Sequence, residues 1–196
     1  MKKVFILFLA VISVPVFGQQ DEIKAAFSEY KTAMVGNNID GVLDITSKNS
    51  FDYYEMLIDY ALNADSAKVA GLSFMDRMSV LGTRIQIPKD ALIGMDGPSY
   101  VRYGLENGLT NSAALNAIDV GDVTMEGDSK AQAQVMYMSQ PLPAKMTFLQ
   151  EGGKWKFDAT SMLKFSEDMI LQQIGGMDMT ENVKIYTDTA IICMSL

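Results

Sequence analysis

Apolar and polar positions along this chain follow two different periods, and the change falls near residue 111. In the first half the spacing is helical. Ile23, Phe27, Tyr30 and Met34 recur at i, i+4, i+7 and i+11, one face of a helix, and Gly36-Asn37-Asn38 ends it. Ile39, Val42, Leu43 and Thr46 predict a short second helix. Asn49 or Ser50 is read as the cap of a third, whose apolar stripe is Tyr54, Leu57, Ile58, Ala61 and Leu62. Phe74–Leu81 reads as helix, and Thr83–Ile87 fits either a helix end or a short strand stopped by Pro88. Asp96 before Gly97-Pro98 marks the start of a further helix, through Tyr100, Val101, Gly104 and Leu105 to Gly108.

After Asn111 the period becomes two. Ile118, Val120, Val123 and Met125 alternate with polar residues, with a phase slip at Gly121-Asp122 that predicts a bulge. Glu126-Gly127-Asp128-Ser129 is a turn. Ala131, Ala133, Val135 and Tyr137 then alternate against Gln132, Gln134, Met136 and Met138, until Pro141–Pro143 breaks the chain. Lys145–Gln150 and Lys154–Ala159 flank a tight turn at Glu151-Gly152-Gly153. In the last strand Trp155 and Phe157 share one face, and Lys154, Lys156 and Asp158 the other. The pattern is an antiparallel meander with one wet face. Ser161–Ile174 returns to helix, and the tail from Met177 shows no clear period. The fold class is therefore α+β: N-terminal helices on a curved antiparallel sheet of about four strands within residues 113–159, followed by a C-terminal helix and extension.

This order resembles the nuclear-transport-factor-2-like superfamily, a cone-shaped α+β fold found in many small exported bacterial proteins. Asp128–Ser139, Lys145–Glu151 and above all Gly152–Asp158 carry the likeness, and residues 20–62 supply helices of the right type. Residues 65–94 are longer than the simplest members need, and residues 161–196 have no counterpart. The resemblance implies a ligand hollow between sheet and N-terminal helices, and no single chemistry. Its ketosteroid-isomerase-type enzymes use an Asp base with Tyr and Asp donors. Nothing here aligns with that set residue by residue, so no catalytic position is carried over.

The first twenty residues read as a secretory signal. Lys2 and Lys3 precede the apolar Val4–Val14, Pro15 breaks the helix, and Val16-Phe17-Gly18 offers a cleavage site after Gly18. The apolar run is shorter than the about 20 residues a bilayer requires. Gln19 stands where a lipidated cysteine would, so no lipid anchor is expected. Residues 1–18 are thus read as signal peptide, 19–160 as the α+β domain, and 161–196 as an extension of that domain. Cleavage removes two lysines and no acid, taking the net charge from −8 to −10. Export to the periplasm or beyond follows, and an acidic surface argues against nucleic acid as a partner.

The composition narrows the chemistry further. The chain has no histidine and one cysteine, Cys193. Triads built on histidine, histidine metal sites, cysteine metal sites and intrachain disulfides are all excluded. Cys193 lies in an apolar run and is expected to be buried.

Several strings invite chemistry and have plainer readings. Ser161-Met162-Leu163-Lys164 has the Ser-x-x-Lys form, with Ser47-Lys48-Asn49 as a second element in reversed order. A helix cap at Ser161 with Lys164 in solvent is the better account. Asp119, Asp122, Glu126 and Asp128 do not have calcium-loop spacing. Met136-Tyr137-Met138 and Met177-Asp178-Met179 are Met-x-Met pairs, read as adaptable packing instead of copper ligands. Tyr53, Tyr54, Tyr60, Tyr100, Tyr103 and Tyr137, near Asp52, Asp59 and Asp96, are the acid–base groups at hand.

The expectation is a non-catalytic binding module of the bacterial envelope, without cofactor or metal. Tyr54, Met136, Tyr137, Met138, Phe148 and Trp155 are the candidates to line its pocket. Its partner is a small apolar ligand or an envelope protein. The alternatives are a small isomerase, dehydratase or hydrolase using Asp and Tyr, and a homodimer formed through the sheet face.

Overall fold

Helix α1 (Val16–Val35) crosses the sheet and closes on Asn37, whose φ of 50° turns the chain back. Asn38 caps α2 (Ile39–Ile45) by accepting from Gly41 N. These elements come from a computed structural model that describes residues 16–110 and 112–175. Most of the signal sequence, Met177-Asp178-Met179 and Cys193 lie outside the described residues.

Four further helices follow: α3 (Lys48–Asn63), α4 (Ser66–Ala70), α5 (Phe74–Gln86) and α6 (Lys89–Leu92). The cap of α3 is Ser47, not Asn49 or Ser50. Ser47 Oγ accepts from Ser50 N at 3.3 Å, which leaves the Asn49 and Ser50 side chains free to bond elsewhere. The ambiguous Thr83–Ile87 continues α5 as far as Gln86, where Pro88 stops it. Asp96 caps α7 (Gly97–Glu106) through Ser99 N at 2.9 Å. At its start, Gly97 comes so close to α3 that a Cβ would sit 2.4 Å from Phe51 O.

The sheet is an open four-stranded antiparallel meander in sequence order: β1 (Ile118–Met125), β2 (Lys130–Tyr137), β3 (Gln140–Glu151) and β4 (Lys154–Asp158). The register slips between Val120 and Val123, around the Gly121-Asp122 phase break. Two expectations are corrected. Pro141 and Pro143 do not end a strand but lie inside β3, where β2 pairs on one side and β4 reaches only Thr147–Glu151 on the other. A residue without an N–H is tolerated along such an open edge. Met138 is not a strand residue beside Met136. With Ser139 it makes the two-residue turn between β2 and β3, at φ of 47° and 66°, the doubly left-handed geometry of a type I′ hairpin.

The inner sheet face buries Ala131, Ala133, Val135, Met146, Phe148, Trp155 and Phe157 against Ile23 and Phe27 of α1. Phe157 anchors this layer, with the rings of Tyr30, Phe148 and Phe27 at 4.9, 5.7 and 5.8 Å. The outer face carries Thr124, Gln132, Lys145 and Lys156 and is polar.

Asp158, expected on the wet face with those lysines, is buried at 6% exposure. The α2–α3 junction folds onto the free edge of β4, with Ser47 N donating to Phe157 O at 3.0 Å, and covers it. A 3-10 turn (Ala159–Met162) then leads into α8 (Leu163–Gly175), which packs Ile170 on Phe74 and Met78 of α5.

Candidate functional site

Packing Phe27, Tyr30, Phe148 and Phe157 together fills the space under the sheet. The open volume lies one layer away, between α3, α5, α7 and the segment after β4. There a cavity of about 310 Å³ is walled by Leu57 of α3, Met75 and Met78 of α5, Leu109 and Leu163, with Tyr53, Tyr54 and Tyr100 around it. That volume is at the lower end of the usual range for small-molecule sites.

Each tyrosine is fixed by its helix and by a neighbour. Tyr53 and Tyr54 are adjacent on α3, their rings 5.9 Å apart and at 62°. Tyr53 donates its hydroxyl proton to Asp76 Oδ1 at 3.0 Å, while Asp76 Oδ2 accepts from Ser73, the cap of α5. Both carboxylate oxygens are thereby occupied. Tyr100, one turn into α7, stacks on Tyr54 at 5.4 Å and 19°, and its hydroxyl bonds Thr83 Oγ1 at 2.7 Å. Burial pushes the Tyr53, Tyr54 and Tyr100 hydroxyls above the ordinary tyrosine range. At neutral pH they are therefore uncharged hydrogen-bonding groups.

Among the described residues, no Asp, Glu, Lys or Arg lines this cavity. The Asp residues first paired with the tyrosines are engaged elsewhere. Asp52 bonds Lys48, Asp59 accepts from Asn63, and Asp96 caps α7, where Ser99 holds its carboxyl below the usual range. Asp158 serves a structural knot, accepting from Asn49 Nδ2 (2.8 Å), Ser50 Oγ (3.3 Å), and Thr160 N (3.0 Å) and Oγ1 (2.6 Å). The Ser-x-x-Lys string dissolves in the same region. Ser161 Oγ donates to Asp158 O and accepts from Thr147 N, and Lys164 pairs with Asp168 in solvent. What the cavity offers is shape, aromatic faces and a few neutral hydroxyls.

Of the six residues expected to line a pocket, the structure puts Tyr54 in this wall. Phe148 and Trp155 are buried in the core under the sheet. Met136 is half-buried on β2 against Gly121, while Tyr137 and Met138 are exposed at the hairpin tip. The methionines at the cavity are Met75 and Met78. A sequence signal for them existed: Met75, Ser79, Gly82 and Gln86 fall at i, i+4, i+7 and i+11 on α5, a face too small and too polar to be pure core.

Gly82 is the most telling position on that face. A Cβ there would meet nothing within 4 Å, although glycine inside a helix costs about 1 kcal/mol relative to alanine. No protein-family model, no curated protein and no solved structure matches the chain. The site's chemistry is therefore read from its own geometry.

Proposed function

We propose that this protein is an exported, non-catalytic binding module of nuclear-transport-factor-2-like type that holds a small, uncharged, largely apolar molecule in the tyrosine-walled cavity. The observation that carries this is the wall itself, with aromatic and thioether surfaces, neutral hydroxyls and no charged side chain among its described residues. An ionic ligand would leave an unpaired charge in such a place, at a cost of several kcal/mol. Gly82 supports the reading, since the chain forgoes helix stability at an α5 position on the cavity wall.

Export is proposed on the Lys2-Lys3, Val4–Val14 and Val16-Phe17-Gly18 pattern. The family is proposed on the order of helices followed by meander. Among the described residues no helix is long and apolar enough to cross a membrane.

The test is titration of the full chain with a neutral fluorophore, N-phenyl-1-naphthylamine, against a Gly82→Leu variant. Leucine at that position projects into the cavity and also suits the helix better. Fluorophore binding is expected to fall at least about tenfold, which is about 1.4 kcal/mol, with no loss of melting temperature. Equal binding by both chains, or none by the wild type, refutes the reading.

A further inference from the structure

The cavity shares Tyr54, Tyr100 and Ala159 of its wall with a neighbour. The stacked Tyr54 and Tyr100 also line a second hollow of about 110 Å³ on their other side. Met34, Val42, Val101 and Leu105 make its wall, and Thr46 Oγ1 beside them is already committed to Val42 O at 2.8 Å. Tyr30 also lines this hollow, which is less polar than the first. It also has a helix glycine of its own, Gly104 of α7, where a Cβ would meet only Thr110 Cγ2 at 3.8 Å. Each hollow thus opens onto a glycine inside a helix, where alanine would fit and would favour the helix.

One hydrogen bond holds the polar end of the partition. Thr83 Oγ1 donates its single proton to Ser79 O at 2.8 Å, so in the 2.7 Å contact the Tyr100 hydroxyl is the donor. Displacing the Tyr100 ring breaks that hydrogen bond and the ring stack and loosens its packing beside Ile58, Ala61, Ile87 and Leu92.

We propose that the two hollows are the two ends of one site for an unbranched, uncharged amphiphile, an alkyl chain with a single hydroxyl or carbonyl head, and that Tyr100 is the displaceable partition between them. This rests on the cavity being a binding site and adds the ligand's shape. The head lies in the larger cavity, among Ser79, Thr83 and Thr160. The tail passes Tyr100 into the less polar hollow. A carboxylate head is selected against, because among the described residues no Lys or Arg lines either hollow.

The experiment is displacement of N-phenyl-1-naphthylamine from the full chain by hexanol, dodecanol and dodecanoate. In the wild type, affinity is expected to rise by up to about fourfold per added methylene, the transfer value for a buried CH₂, and to keep rising from hexanol to dodecanol. Dodecanoate is expected to bind at least about tenfold more weakly than dodecanol. Gly104→Leu fills the second hollow, so it should leave hexanol unchanged and weaken dodecanol by at least about tenfold. Tyr100→Phe keeps the stack and removes the hydroxyl bond. It should raise the affinity for dodecanol relative to hexanol about fivefold, the weight of one hydrogen bond; this variant decides the matter if Gly104→Leu does not fold. A chain-length gain that stops at hexanol in the wild type, or that is the same in Gly104→Leu, overturns the two-ended site and leaves the cavity reading standing. Failure of the fluorophore and of both alcohols to bind overturns both.

Discussion

Asp158 ties the end of the sheet to the start of α3. Its two carboxylate oxygens take hydrogen bonds from Asn49, Ser50 and Thr160, and Ser50 Oγ in turn accepts from Ala159 N at 2.9 Å. Asp158→Ala leaves those donors facing a gap. It is expected to lower the unfolding free energy by about 3 kcal/mol, and Asp158→Asn, which keeps one acceptor oxygen, by less; urea unfolding separates the two. None of this knot was legible in the sequence, because Ser50 and Asn49 lie 108 and 109 residues from Asp158. Alternation alone put Asp158 with the exposed lysines. The hairpin at Met138-Ser139 escaped notice for the opposite reason: its signal is local but has the wrong letters. Gly152 and Gly153 announce their turn with φ of 59° and 80°, whereas Ser139 takes a φ of 66° without being glycine. Ser139→Gly is accordingly expected to raise stability by about 1 kcal/mol, seen as a higher urea midpoint with an unchanged slope.

Among the elements, α7 has the strictest placement and carries half of the partition. Its first residue touches the α3 backbone, its cap Asp96 sets where it begins, and Tyr100 lands on Tyr54 as a consequence. Gly97→Ala must push α7 away from Phe51 O. The expected cost is about 2 kcal/mol, typical of overpacking against backbone that cannot move aside, together with weaker fluorophore binding as the Tyr54–Tyr100 stack opens. Thermal melting and the titration read the two effects on one sample. A variant as stable as wild type would show that the contact is slack. The helices themselves were readable from their stripes and caps, since Asp96-Gly97-Pro98 and the Ile23–Met34 face are local patterns. The length of β3 was not. Whether Pro141 and Pro143 break a strand depends on which neighbours it has, and the missing β4 partner beside residues 140–146 is a property of the sheet.

At the scale of the whole molecule, the helices-then-meander order was visible, but the location of the open space was not. The aromatic residues that seemed to line a hollow under the sheet instead meet one another there and close it, and the volume reappears between the helices. That arrangement encloses Tyr30, Tyr53, Tyr54 and Tyr100, and its pH dependence follows from theirs. Burial raises all four hydroxyls, Tyr30 to about 12. An unfolded tyrosine ionises near 10, so above that pH the unfolded chain releases protons that the folded chain keeps. The unfolded state then binds fewer protons, and stability falls as pH rises. The stabilisation is complete below about pH 10 and, for Tyr30, is lost between about pH 10 and about pH 12. Each enclosed tyrosine contributes a slope of up to about 1.4 kcal/mol per pH unit. At the acid end, Asp44 and Asp96 are held below their usual range but lie in solvent, so their contribution is small. The expected profile is therefore steep at alkaline pH. Urea midpoints at about pH 9 and about pH 11, with tyrosinate absorbance followed on the same samples, test it. A falling midpoint, with part of the tyrosinate absorbance held back until the chain unfolds, is the expected result. Tyrosinate absorbance that develops in full near pH 10 in the folded chain would mean the enclosed rings are wet, and the closed partition between the two hollows would not stand.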